Sequence, residues 1–191
     1  MLVALILMFG QISGAHFNPL VTVALAFEGQ VRWKTVIPYA VAQFSGAVFG
    51  VALAHGMFSE SLFSASQHTR AGGAQILSEF VATFGLLAVI WGCVRARSQF
   101  TPFAVGAYIT AGYWFTASTA FANPAVTLAR ALTNTFSGIR PTDVPGFIAA
   151  QCAGAFVATL LFRWLWREPA VERSHATDSA SLEEEVTTHG K

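Results

Sequence analysis

The sequence predicts an all-α membrane protein whose two halves repeat one another in opposite orientation. Three observations carry this. Hydrophobic residues make up 54% of the chain and charged residues 11%, against about 25% charged in a typical soluble domain. Asp, Glu, Lys and Arg are absent from long runs, at 1–27, 35–59, 80–94, 98–129 and 144–162. One 15-residue segment occurs twice, 105 positions apart. The net charge of +1, with no basic patch and no Gly-rich phosphate loop, excludes a nucleic-acid partner.

The spans follow in chain order. About 20 apolar residues cross a bilayer as a helix, so 35–54, 74–94 and 144–162 read as full spans. The 98–129 run is too long for one helix, and Asn123-Pro124 interrupts it. It reads as a span over about 100–117, a re-entrant loop, and a short helix over about 124–133. Residues 1–27 look alike: a short apolar piece, a Gly-Gln-Ile-Ser-Gly interruption, then Asn18-Pro19 and a second short helix. Irregular backbone at membrane depth survives only when it is buried in protein or lines a wet cavity. Two such breaks predict a pathway through the bilayer.

Basic residues set the orientation. Arg32 and Lys34 lie in one loop, Arg95 and Arg97 in another, and positive loops face the cytoplasm. Arg163 and Arg167 place the C-terminus there too. Residues 1–165 form the membrane domain. Residues 166–191, polar and with the run Glu183, Glu184, Glu185, read as a disordered cytoplasmic tail. The N-terminus has no Lys or Arg ahead of its apolar run, so it lacks the basic region of a signal peptide. Cys93 and Cys152 sit in apolar runs and read as small buried residues, not a disulfide framework.

The repeat is specific. SGAHFNPLVTVALAF at 13–27 and STAFANPAVTLARAL at 118–132 agree at 8 of 15 positions. Gln43-Phe44-Ser45-Gly46-Ala47 recurs as Gln151-Cys152-Ala153-Gly154-Ala155, 108 residues on. An odd number of spans separates the copies, so they enter from opposite faces, and inverted repeats with broken helices place a site near the midplane. One Asn-Pro is only a good helix start; two in matched flanks exceed chance.

These segments resemble the major intrinsic protein (aquaporin and glycerol facilitator) superfamily, whose signature is a duplicated Asn-Pro-Ala. The resemblance covers 1 to about 165. It implies a right-handed bundle of six spans with two half-helices meeting mid-bilayer, a pore for small neutral solutes, no cofactor, and a homotetramer in the plasma membrane. The two signatures fall at Asn18, Pro19, Leu20 and at Asn123, Pro124, Ala125. It implies that Asn18 and Asn123 present amides to the solute, and that carbonyls of Gly14, Ala15, His16, Thr119, Ala120 and Phe121 line the pore. Such groups replace the water a solute sheds. Each half-helix adds about +0.5 charge at its N-terminus, repelling cations at the centre. His16 takes a loop role, having no second ligand at metal spacing. Glu79, ionisable within an apolar run, is expected to brace the second re-entrant loop and not to relay protons.

The sequence departs from the family in three places. Leu20 replaces the usual Ala of the first signature. Val126 stands where an Arg usually forms the narrow filter. The other filter positions fall near Ala111 or Gly112 and at Ala120, all small, which implies a wide apolar mouth. That favours glycerol-sized polyols or arsenite-type metalloid hydroxides over strict water selectivity. A bacterial subgroup with Val in place of this Arg, associated with arsenic resistance, is similar. Arg130, one turn after Val126, shares its helix face and is expected to restore positive charge at the outer mouth. Last, the family has one whole span and most of another before SGAHFNP, so either the start lies upstream or the product is truncated. A secondary transporter with inverted repeats would also fit broken helices, but only Glu79 offers a midplane charge. A non-conducting junction or truncated homologue is a third reading. No nucleophile–base pair, paired carboxylate or metal cluster suggests an enzyme.

Overall fold

A computed structural model describes residues 1–96 and 98–166. Arg97, Arg167 and the 168–191 tail with its Glu183, Glu184 and Glu185 run lie outside the described residues. The chain divides into two units, 1–160 and, of the described residues, 161–166. In the second, Phe162 and Trp166 stack with ring centroids 5.1 Å apart.

The described residues are helical throughout, joined by turns and irregular segments. Among the described residues three helices are long and apolar enough to cross a bilayer: α3 (Trp33–Phe58), α4 (Gly73–Arg95) and the stretch Pro141–Leu165 that ends in α7 (Val144–Leu165). They contain the spans predicted at 35–54, 74–94 and 144–162. The fifth-span helix, α5 (Thr101–Phe115), stops short of residue 117, because Thr116 is extended at φ −111°.

The first helix, α1 (Leu2–Ser13), differs from expectation. The interruption predicted from Gly10 onward is not there, and the helix continues through Gly10, Gln11 and Ile12. One interior glycine costs only about 1 kcal/mol. The helix stops at Gly14, whose φ of 74° is the left-handed conformation glycine adopts without strain.

Two short helices follow the Asn-Pro pairs, α2 (Pro19–Phe27) and α6 (Pro124–Arg130). α6 is three residues shorter than the predicted 124–133. Both start the same way. Asn18 Oδ1 accepts the Leu20 amide at 3.0 Å, Asn123 Oδ1 accepts the Ala125 amide at 3.0 Å, and proline holds the first helical position.

The repeat extends to backbone and packing. Left-handed φ values occur at Gly14, Ala15 and Phe17 and again 105 residues on, at Thr119, Ala120 and Ala122. Gln43 on α3 donates to Thr22 Oγ1 of α2 at 3.1 Å, and Gln151 on α7 donates to Thr127 Oγ1 of α6 at 2.8 Å. α1 packs on α5, α2 on α3, α3 on α6 and α4 on α5. Large apolar side chains such as Phe49, Met57, Leu77 and Trp114 face outward, as lipid contact permits. Burial of the two cysteines needs correction: both are free, but Cys93 is half-buried and Cys152 is exposed on α7. With the lipid side as apolar as the core, an apolar run does not say which face is buried.

Candidate functional site

The site begins where the two re-entrant segments touch. Asn18 Nδ2 donates to the Ala122 carbonyl at 2.7 Å, and Asn123 Nδ2 donates to the Phe17 carbonyl at 2.8 Å. Each side-chain oxygen is already used as a helix cap. A carboxamide nitrogen carries two hydrogens, so each asparagine keeps one N–H beyond the crossed bond.

Glu79 holds the second segment from behind. Its carboxylate is fully buried on α4 and accepts from the amides of Phe121 at 2.8 Å and Ala122 at 2.9 Å, and from Gln151 Nε2 at 2.6 Å. Consecutive amides that converge on one anion form a nest, which requires alternating left- and right-handed residues. That accounts for the positive φ of Ala120 and Ala122. Such a conformation costs of order 1–3 kcal/mol per non-glycine residue unless its surroundings enforce it; here a carboxylate does.

A cavity of about 490 Å³ passes along this junction. Gln30 and Val94 line one end, Tyr113 and Arg130 the other. Between them lie Gly14, Ala15, His16, Phe17 and Asn18 from the first segment and Ala120, Phe121, Ala122, Asn123 and Val126 from the second. Pro19, Pro124 and Ala125 are buried away from the cavity, and Leu20 is half-buried off it. Thr119 is also off it. His16 turns Nδ1 to Thr22 Oγ1 at 3.1 Å and packs its ring against Tyr39.

The α5 position differs from expectation. Ala111 is exposed and Gly112 packs against Ala120, and neither lines the cavity. Thr101, Val105, Ile109 and Tyr113 do. These recur every four residues, one stripe of a helix. Counting back from Asn123 across a non-helical loop missed the stripe; helical spacing along α5 itself would have found it. Tyr113 closes on Arg130, whose Nη2 donates to the tyrosine hydroxyl at 3.3 Å. Arg130 also borders a second hollow of about 740 Å³ between α3 and α6.

Sequence reasoning also passed over Arg70, which the loop 59–72 carries in against Phe121, with its guanidinium carbon 5.0 Å from the ring centre. Burial first, and then the charge of Arg130, push this guanidinium below its ordinary value, while Glu79 works against them.

The major intrinsic protein model matches residues 1–119 and 99–189. The chain belongs to the major intrinsic protein family. An aquaglyceroporin of Rhizobium meliloti, AqpS, is 52% identical over 164 residues, covering 86% of this chain and 70% of the relative. A rice aquaporin, NIP1-3, is 34% identical over 80% of this chain and 56% of its own length. A glycerol uptake facilitator of Bacillus subtilis is 34% identical over 66% of this chain and 52% of its own length. Membership makes this major intrinsic protein a membrane channel and not an enzyme.

Proposed function

We propose that this channel passes water and glycerol-sized neutral polyols passively, with arsenite-type metalloid hydroxides as further neutral candidates. The observation that carries the reading is the composition of the cavity at its Arg130 end. Ala120 and Val126 leave that wall small and apolar, so size is set by Tyr113 and Phe121. A solute there finds carbonyl acceptors on both re-entrant segments and one amide N–H from each of Asn18 and Asn123, enough to replace lost hydration. Glu79 is the brace that keeps the second segment's carbonyls turned to the lumen. The names of relatives favour the same class, aquaglyceroporin and glycerol uptake facilitator among them.

Arg32, Lys34 and Arg95 lie at the Gln30 and Val94 end, which is therefore the cytoplasmic end by the positive-inside rule, with Arg130 at the outer mouth. The C-terminus is then cytoplasmic and the protein resides in the plasma membrane. A homotetramer covers part of its apolar exterior. The test is reconstitution into liposomes, with light scattering after a sucrose step and then a glycerol step. Glycerol-driven reswelling well above that of empty liposomes supports the reading. Fast water flux with no glycerol entry refutes the wide filter.

A further inference from the structure

The segment joining α3 to α4 is long and irregular, yet fixed along its length. Ser64 and Ser66 donate their amides to the carbonyls of Leu132 and Ala131, both at 3.0 Å. The Gln67 amide donates to Asn134 Oδ1 at 2.8 Å, and the Arg140 amide to the His68 carbonyl at 2.8 Å. The Arg70 amide donates to Asp143 Oδ2 at 2.9 Å. These bonds lay the segment over the chain that follows α6 and leave Arg70 only 6% exposed.

The Arg70 guanidinium is held by neutral acceptors. Nε donates to the Gly138 carbonyl at 2.7 Å, Nη1 to the Ser118 carbonyl at 3.1 Å and Thr119 Oγ1 at 3.5 Å, and Nη2 to the Phe136 carbonyl at 3.1 Å. The nearby carboxylates are committed elsewhere. Asp143 takes the Arg70 backbone amide and pairs with Arg140 at 2.9 Å, and Glu79 is filled by Phe121, Ala122 and Gln151. Arg130 stands against the same aromatic ring, its guanidinium carbon 4.3 Å from the Phe121 centre. Among the described residues neither arginine forms an ion pair. Arg70 is thus buried without an ion pair, and Glu79, the carboxylate whose charge it feels, is one negative charge beside two positive ones, so the surroundings of the Phe121 ring keep a net positive charge.

Arg70 does not line the cavity. Its charge reaches the lumen through Phe121 and the 118–119 backbone, without side-chain bulk in the pore. We infer that Arg70 is a specificity-determining residue of this channel: with the cavity-lining Arg130 it makes a positive collar around Phe121 that excludes cations while the mouth beside Val126 stays wide. Charge rejection and size selection are thereby assigned to different residues. The inference rests on the channel reading and deepens it.

The test compares the reconstituted 191-residue chain with Arg70→Gln and Arg70→Lys, reading potassium efflux and glycerol reswelling on the same vesicles. Clefts of one sign change local ion concentration by about tenfold or more, so Arg70→Gln should raise potassium leak about tenfold. Arg70→Lys, which keeps the charge but not the forked bonds, should leak clearly less than Arg70→Gln, and glycerol entry should change little in either. If Arg70→Gln does not insert, Thr119→Asp gives the same reading. Aspartate tolerates the left-handed φ there and neutralises Arg70 in place, so leak should rise. Folded Arg70→Gln or Thr119→Asp protein as tight as wild type overturns the inference. Equal leak from Arg70→Lys and Arg70→Gln also overturns it, because the role would then be loop bracing and not charge. A wild-type chain that passes no glycerol but still leaks potassium on Arg70→Gln refutes the proposed solute and leaves the collar standing.

Discussion

Asn18 and Asn123 are crossed: each caps its own half-helix with its oxygen and donates its nitrogen to the backbone of the other's loop. The two re-entrant segments are therefore one mechanical unit. Asn18→Ala should lose a cap of about 1 kcal/mol and a hydrogen bond of about 1 kcal/mol, and Asn123→Ala the same. Because both substitutions loosen one junction, the double variant should deviate from additivity by about 0.5–3 kcal/mol. Thermal unfolding of the four proteins in detergent measures this. Strict additivity would mean that the segments are independent.

Glu79 tests the brace. Its oxygens accept three N–H groups, and a glutamine can offer only one oxygen to them. Glu79→Gln should turn an N–H donor toward at least one of these donors and cost about 1–3 kcal/mol for the buried group left unpaired. Relaxation of Ala120 and Ala122 from left-handed φ should then narrow the lumen and lower glycerol flux. Unchanged flux and melting temperature in Glu79→Gln would dismiss the brace.

Spans, half-helices and the repeat were legible in the sequence because each has a one-dimensional signature: absence of charge, an Asn-Pro start, a matched 15-residue segment. The reach of Glu79 was legible through resemblance alone. Two things were not. Tyr113 was hidden because its place depends on the phase of α5, and the irregular residues 116–123 break the phase between α5 and Asn123. Arg70 was hidden because nothing local in 59–72 repeats or alternates. Its position is set by bonds to residues 48 or more positions away, which no periodicity reveals.

The repeat also makes Gly46 and Gly154 a matched pair with unequal surroundings. A Cβ at Gly154 would lie 2.4 Å from the Phe80 carbonyl oxygen, whereas at Gly46 it would meet nothing within 4 Å. The obstacle at Gly154 is helix backbone, which cannot swing aside. Gly154→Ala should force α4 and α7 apart and cost about 1–3 kcal/mol. Gly46→Ala should be neutral, or stabilise α3 by up to about 1 kcal/mol. Detergent melting curves of the two variants should separate clearly, and equal losses would contradict the α4–α7 contact.

Tyr113 should set the size limit at the Arg130 end of the cavity. It sits in the α5 stripe facing Val126, and its hydroxyl holds Arg130. Tyr113→Phe removes only that hydroxyl, a bond to a charged group worth about 1.5–3 kcal/mol at most and less where water competes. Glycerol flux should fall or rise by less than about threefold, as a loss near 0.6 kcal/mol implies. Tyr113→Ala removes the ring, so the wall opposite Val126 retreats and four- and five-carbon polyols should enter. The measurement is the ratio of xylitol to glycerol reswelling rates. It should increase in Tyr113→Ala and hold in Tyr113→Phe, since the ring defines the width and the hydroxyl only steadies the arginine. If the ratio instead falls in Ala111→Ser or Gly112→Ala and is indifferent to Tyr113, the α5 stripe is not the filter wall, and the position counted back from Asn123 is.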